Sequence, residues 1–313
     1  MDSILHCQIC NNQSYNQFFI AKELMLGLNS EFEYFECANC RCIQIVEVPK
    51  DMDCYYPDTY YSYQQPDFAT KISGLRNFIK KRVVSFYIGK FDLLGSILSV
   101  VYKNPFPWIP TQMANFNSTI LDVGCGAGRL LLSMQRGGFQ NLTGIDPYNK
   151  EDIFYPNGIS IYKKDIFEIN GKFDLIMLHH SFEHMENPKD ILSRLHDLLK
   201  PQGTIIIRIP VANCFAWRKY HTNWVQLDAP RHFFLHTIKS ISLLCNKCSL
   251  KVINVEYISE AAQFTGSEKY LKGLGYQDNE IITRRQLKAW QREAKRLNEI
   301  NDGDTACFYL HHI

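Results

Sequence analysis

The chain has 313 residues, with 34 lysines and arginines against 32 aspartates and glutamates, a formal charge of +2. Its 46% hydrophobic and 21% charged content matches packed soluble domains and excludes global disorder, and the near-zero charge argues against a protein that wraps nucleic acid by bulk electrostatics. At roughly 150 residues per domain, the length allows about two domains.

No apolar run reaches the roughly 20 residues of a membrane-spanning helix, and the longest, 91–102, contains Asp92. The N-terminus, MDSILHCQIC, lacks a basic flank before an apolar core, so no secretory signal is expected. Eleven cysteines, an odd number, point to reduced thiols. The expectation is a cytoplasmic protein without a membrane span.

The first sixty residues are rich in Cys, Tyr and Asn and show no helical periodicity. Cys7-x2-Cys10 and Cys37-x2-Cys40 supply four thiolates, the donor set a structural zinc takes in a tetrahedron. The 26 residues between the pairs exceed the usual gap of roughly 15–20, which leaves room for an inserted hairpin. Sixty such residues make a poor apolar core, so metal would supply the missing stability. The rival is two redox pairs, but neither lies in a βαβ context; Cys42 is a spare that can replace Cys40. A closed four-thiolate site leaves no open position for chemistry and serves as scaffold or docking piece. Residues 42–48 read as a strand closed by Pro49, and the run Tyr55, Tyr56, Tyr60, Tyr61, Tyr63 is broken by Pro57 and Pro66. The reading is a zinc-binding ribbon-like module over 1–66.

From Lys71 to Tyr102 apolar residues recur at helical spacing, with Arg76, Lys80, Lys81 and Arg82 among them, until Pro105, Pro107 and Pro110 end the segment. We take 67–115 as a helical connector; its basic face can touch anionic membranes, although such faces are usually solvated. Beyond it, strands are predicted at 119–123, 142–145, 160–163, 173–178, 204–209 and 250–257. A helix runs from Pro188 to Leu199, capped by Asn187 and stopped by Lys200-Pro201-Gln202-Gly203. Strands alternating with such helices mean βαβ units and a mostly parallel, Rossmann-like sheet over 116–313. Cys245-x2-Cys248 lacks a partner pair and reads as structural.

Between the first strand of that region and the next helix lies Leu121-Asp122-Val123-Gly124-Cys125-Gly126-Ala127-Gly128-Arg129. Its glycines let the backbone turn sharply and approach a ligand. Asp146 follows Gly124 by 22 residues at the end of the next strand, where a carboxylate can accept both hydrogen bonds of a ribose diol. Asp165 ends the third strand and can receive the amine of adenine; the plainer alternative is that both aspartates cap the helices that follow. Gly-x-Gly-x-Gly leaves a dinucleotide or S-adenosylmethionine open.

LDVGCGAGR, GIDPY, KKDI, FDLIMLHHSFEHMENP and LKPQGTIIIRIP, in this order, resemble successive motifs of the class I S-adenosylmethionine-dependent methyltransferases over residues 116 to 257. The resemblance implies a cofactor set of Asp122, Gly124, Gly126, Gly128, Asp146, Asp165, Ile166 and His179, with the Leu178 to His180 backbone beside the methyl group. It says nothing of the methyl acceptor. Cys125 reads as a packing residue.

Acceptor-facing groups are expected beyond the carboxyl ends of the strands. His180 and His184, four apart after the fourth strand, and His232 are the candidates for a catalytic base. The cluster Trp224-x3-Asp228-x-Pro230-Arg231-His232 is similar to runs in a methyltransferase subfamily found beside surface-polysaccharide and small-metabolite genes. Trp224, Asp228 and Arg231 are the expected substrate-binding residues, Arg231 as a fork for phosphate or carboxylate; the alternative is an Arg–Asp pair that ties down the loop. Trp217 and Trp224 can stack on a ring, although packing is the commoner fate of tryptophan. The leading expectation is a methyltransferase acting on a hydroxyl or carbon of a sugar nucleotide or glycan, with no nucleic-acid partner. The layout also resembles zinc-bearing deoxysugar C-methyltransferases, without their acceptor motifs. An RNA methyltransferase is the alternative, disfavoured because Leu178-His179-His180-Ser181 stands where an Asn/Asp-Pro-Pro-aromatic segment is usual. A non-catalytic zinc-ribbon interaction protein is the third reading, opposed by the intact acids at 146 and 165.

Overall fold

A computed structural model describes residues 6–57, 74–276 and 278–313. Tyr60, Tyr61, Tyr63, Pro66 and the start of the connector at Lys71 lie outside the described residues. The chain begins with three short strands, β1 (Gln17–Lys22), β2 (Glu31–Glu36) and β3 (Ile43–Ile45). Two helices follow, α1 (Gly74–Tyr87) and α2 (Leu93–Ser99). Asp92 separates them: its Oδ1 caps α2 by accepting from the Gly95 N–H at 2.8 Å, and its Oδ2 meets Arg82 at 3.1 Å.

The alternating region then runs β4 (Thr119–Val123), α3 (Arg129–Arg136), β5 (Asn141–Ile145), β6 (Ile153–Phe154), β7 (Ser160–Tyr162), β8 (Phe173–His179), α4 (Pro188–Leu198) and β9 (Leu199–Pro210). It closes with α5 (Phe215–Tyr220), β10 (Phe234–Leu235), α6 (Ile238–Lys247), β11 (Leu250–Tyr257), α7 (Ala262–Leu271), α8 (Arg284–Glu299) and β12 (Thr305–His312). The large sheet has the order β11-β12-β9-β8-β4-β5-β7-β6. Its centre, β7-β5-β4-β8-β9, is parallel, and β12 inserts antiparallel to both β9 and β11. The chain leaves β4 toward β5 on one side and returns to β8 on the other. That reversal opens a crevice at the carboxyl ends of β4 and β8, where open α/β sheets bind ligands. Ile120, Leu121, Leu175, Ile176, Met177, Ile205, Ile206 and Ile207 are all fully buried, which fits central strands covered on both faces.

The cysteine-bearing segment is not a module that stands alone. Its small sheet has the order β1-β2-β3-β10, so the fourth strand comes from residues 234–235, deep in the second half of the chain. Tyr34 donates its hydroxyl to the His232 carbonyl at 2.9 Å, Thr237 donates to the Cys40 carbonyl at 2.7 Å, and Lys247 donates to the Ile9 carbonyl at 2.7 Å. Cys7, Ile9, Tyr34, Phe35 and Ile43 share one apolar core with Leu178, Phe182, Trp224 and Leu235. Among the described residues, the cysteine-bearing strands therefore pack directly on the second half of the chain. Among the described residues, no helix is long and apolar enough to cross a membrane.

Candidate active site

The glycine loop is built by close approach. Gly124 has φ +73°, and a Cβ there would sit 2.4 Å from the Ser181 Cβ, so any side chain would push apart the two strand ends that form the crevice. Ser181 seals the same place by donating to the Val123 carbonyl at 2.8 Å. Asp146 holds the loop from the next strand. Its Oδ2 accepts from the Gly126 N–H at 2.7 Å and its Oδ1 from the Tyr148 N–H at 3.0 Å, while Asn149 donates to the Gly126 carbonyl at 3.0 Å. Each carboxylate oxygen keeps a second lone pair, so holding the loop does not exhaust the acid. Asp165 is exposed and caps a short 3-10 turn over 166–168: its Oδ1 accepts from the Phe167 N–H at 2.9 Å, and Glu168 accepts from the Asp165 N–H at 2.8 Å. Ile166 is buried beneath it.

Asp122 lies inside β4, buried, where burial first and Asp146 second push its carboxyl up to about 7. Because the folded pKa is raised above the ordinary value of about 3.9, the charge opposes folding only when it forms. The cost is absent below about pH 4 and complete above about pH 7. Asp122→Asn should therefore raise the melting temperature at pH 8 and leave it unchanged at pH 4, as differential scanning calorimetry of the free protein would read.

At the end of β8 the chain turns through His180, which has φ +52° and donates its N–H to the Arg208 carbonyl at 2.8 Å. This turn feeds a 3-10 segment, Phe182–His184, and gathers three histidines around one carboxylate. Glu183 is fully buried and neither of its oxygens accepts a hydrogen bond. His180 Nδ1 lies 3.5 Å from Glu183 Oε1, and His232 Nε2 lies 4.0 Å from it and 3.8 Å from Asp228 Oδ2. The rings of His184 and His232 meet edge to face, 4.7 Å between centroids. His184 Nδ1 is 2.8 Å from the Arg231 carbonyl, and His232 Nδ1 is 2.8 Å from the Gln226 carbonyl. A carbonyl only accepts, so each Nδ1 bears the proton and each Nε2 the lone pair. Burial, then the neighbouring His184, lowers His232 to about 4, which makes it neutral at pH 7.

The structure thus brings His180, His184 and His232 together, beside the loop that Asp146 and Ser181 fix. It places other expected residues elsewhere. Arg231 is fully buried, with Nη2 2.6 Å from Asp228 Oδ1 and 2.9 Å from Glu23 Oε1, so no fork faces an acceptor. Asp228 is bound to Arg231 and acts as its counterion. Trp224 is 1% exposed and donates Nε1–H to Asp304 at 3.1 Å, which makes it a packing residue. Trp217 likewise donates to Glu36 at 3.2 Å. The His179 side chain packs on Trp108, 4.4 Å between ring centroids, with its Nε2 buried; only its backbone is at the crevice side. Two tyrosines were not expected: Tyr56 lies with its hydroxyl 3.1 Å from His184 Nδ1 and its ring stacked on Tyr148, next to Asp146. The tyrosine run flagged the segment, but nothing local shows that it reaches across to residue 184.

The cysteines converge as a second cluster. Cys7 and Cys40 Sγ are 3.6 Å apart, and Cys10 and Cys37 Sγ 3.5 Å. A tetrahedron with metal–sulfur bonds of about 2.3 Å has edges of about 3.8 Å, so the four thiols suit a structural zinc. Gln44 donates to Cys7 Sγ at 2.8 Å, a contact that supports a thiolate. Cys42 turns away toward His236, 3.9 Å from its Nδ1, and is not a fifth candidate.

A parallel core ordered β7-β5-β4-β8-β9, an inserted antiparallel strand, and a glycine loop at the reversal point define a Rossmann-like methyltransferase fold. Residues 105–255 match a family model described as a methyltransferase domain, and this segment carries an S-adenosylmethionine-dependent methyltransferase domain. It is similar to a ubiquinone biosynthesis O-methyltransferase of Pseudomonas paraeruginosa, 31% identical over 125 residues, covering 35% of this chain and 53% of that protein. A tRNA U34 carboxymethyltransferase of Idiomarina loihiensis is 24% identical over 140 residues, covering 38% and 42%. The chain spans about half the length of the curated relatives it matches. A solved S-adenosylmethionine-dependent methyltransferase from Mesorhizobium loti overlaps 64% of this chain and 94% of its own, at 14% identity and a TM-score of 0.42.

Proposed function

We propose that the protein transfers a methyl group from S-adenosylmethionine to a hydroxyl of a small-molecule acceptor, with a sugar nucleotide or glycan as the class to test first. The observation that carries this reading is the meeting, at one crevice, of a glycine loop held by Asp146 and a buried group of histidines whose Nε2 lone pairs are fixed by backbone carbonyls. The bound cofactor supplies an electrophilic methyl on a sulfonium. The chain supplies the rest. The loop and Asp146 hold the ribose, the exposed Asp165 carboxylate takes the adenine amine, and the histidine cluster receives the acceptor's proton, since a neutral alcohol is a poor nucleophile. The tautomer argument favours His184 over His180 as the group nearest that step. An RNA acceptor is the second reading, prompted by the tRNA-modifying relative.

Isothermal titration should show binding of S-adenosylmethionine and S-adenosylhomocysteine and none of NAD. Asp146→Ala should weaken that binding by about 2 kcal/mol or more through loss of charge-assisted hydrogen bonds. Unchanged affinity would remove Asp146 from the cofactor site. Methyl incorporation from labelled cofactor into sugar nucleotides, with transcribed tRNA as the comparison, decides the acceptor class; incorporation into tRNA alone would overturn the small-molecule reading.

We also infer one structural zinc held by Cys7, Cys10, Cys37 and Cys40, which ties the N-terminal strands to the main domain. Elemental analysis should give at least one zinc per chain, and Cys37→Ser should lose one zinc together with several degrees of melting temperature. Retention of zinc in that variant would reassign the ligands.

A further inference from the structure

The Glu183 carboxylate is fully buried, and its nearest partner is the His180 ring, with Nδ1 3.5 Å from Oε1. Removing an ionised carboxylate from water is costly unless a cation or donors replace the water. Arg231 does not supply that cation, because its guanidinium is committed to Asp228 and Glu23. The guanidinium thus serves Asp228 and Glu23, and the buried Glu183 has only imidazoles beside it, His180 Nδ1 at 3.5 Å and His232 Nε2 at 4.0 Å. Around Glu183, one donor atom each from Glu183, His184 and His232 fall within 4.8 Å of one another. Both imidazoles are held through Nδ1–H by backbone carbonyls, the arrangement that orients a metal-binding histidine and leaves Nε2 free.

We propose that Glu183, His184 and His232 bind one divalent transition-metal ion at the acceptor end of the crevice, at a site separate from the four cysteines. The ion's positive charge stabilises the buried Glu183 carboxylate. Two imidazole nitrogens and one carboxylate select a borderline ion of the zinc, cobalt or nickel class over magnesium or calcium, and three protein ligands leave open positions for an acceptor oxygen. An oxygen bound there loses its proton more readily, and His180, 36% exposed at the edge of the cluster, is placed to carry that proton away. This role rests on the methyltransferase reading; the binding of the ion does not.

The test uses full-length protein carrying a single zinc at the four cysteines, titrated with Co2+. One further Co2+ per chain should bind, with weak visible bands from nitrogen and oxygen ligands and without the near-ultraviolet thiolate band that exchange into the cysteine site would give. Glu183→Gln and His232→Ala should each lower Co2+ affinity tenfold or more, whereas His180→Ala should not. Glu183→Gln also loses the contact with His180, so the readout is the melting-temperature shift on adding Co2+ and not the metal-free value. Co2+ should raise the parent's melting temperature and not that of Glu183→Gln. Absence of Co2+ beyond the thiolate site, or equal binding by Glu183→Gln and His232→Ala, overturns the proposal. S-adenosylhomocysteine affinity, measured in the same samples, separates the two readings: retained cofactor binding without Co2+ sinks the metal site alone, and Co2+ binding without cofactor binding sinks the methyltransferase reading alone.

Discussion

Arg231→Ala should lower folding stability by about 3–5 kcal/mol, the usual cost of removing one partner from a buried ion pair. The guanidinium makes a two-point contact with Asp228, Nε to Oδ2 at 3.0 Å and Nη2 to Oδ1 at 2.6 Å, and Nη2 also reaches Glu23 at 2.9 Å. Nη1 donates to the Tyr55 carbonyl at 3.3 Å. Glu23 in turn accepts from the Leu26 and Leu28 N–H groups at 2.9 and 3.0 Å. One side chain therefore joins the end of β1, the tyrosine segment and the loop after α5, and its loss strands two carboxylates in the interior. Lysine should not rescue it, since a point charge cannot make the planar two-point contact. Arg231→Met combined with Glu23→Gln should recover part of the loss by removing a stranded charge. Urea unfolding of the three variants is the measurement. A variant that unfolds like the parent and differs only in KM for the acceptor would return Arg231 to the acceptor site and refute its interior role.

The same residue shows where sequence reading reaches its limit. Trp224, Asp228, Arg231 and His232 form a motif that reads as a binding site, because polar and aromatic residues cluster in a long connection. What decides their fate is Glu23, about two hundred positions away, and nothing local announces that pairing. The glycine loop and its acids were legible because they are local: a turn between a strand and a helix needs glycine, and the next strand end sits beside it. The five parallel strands were legible for the same reason, as short apolar runs between helical ones. β12 was missed although Ala306, Cys307, Phe308, Tyr309 and Leu310 form a continuous buried run. Its neighbours are β9 and β11, so it follows none of the alternation that made the others readable. α8 carried a usable signal that went unread. Thr283 and Gln286 form a capping box, and Trp290, Ala294 and Leu297 recur at helical spacing toward the core. The pairing of β3 with β10 was out of reach, because the two-residue β10 has no pattern of its own.

The other large effect falls on chemistry. His184→Ala should reduce single-turnover methylation by about 10²–10⁴-fold, the range for loss of a group that moves the acceptor's proton. S-adenosylhomocysteine affinity should be preserved. The ring is fixed on one side by the Arg231 carbonyl at 2.8 Å and the Tyr56 hydroxyl at 3.1 Å, so its remaining lone pair has one direction to act in. An effect on kcat with cofactor binding intact places the residue in the transfer step and not in ground-state binding. His180→Ala and His232→Ala set the comparison. If His184 takes the proton directly, it alone gives the full loss, and Glu183→Gln changes the rate modestly. If His184 acts by holding an ion that polarises the hydroxyl, then His184→Ala, His232→Ala and Glu183→Gln fall together, because each removes one ligand of the same site. Near-parental rates in all three histidine variants would exclude both mechanisms. Alignment of the acceptor oxygen with the methyl group would then be the whole contribution of the crevice to the reaction.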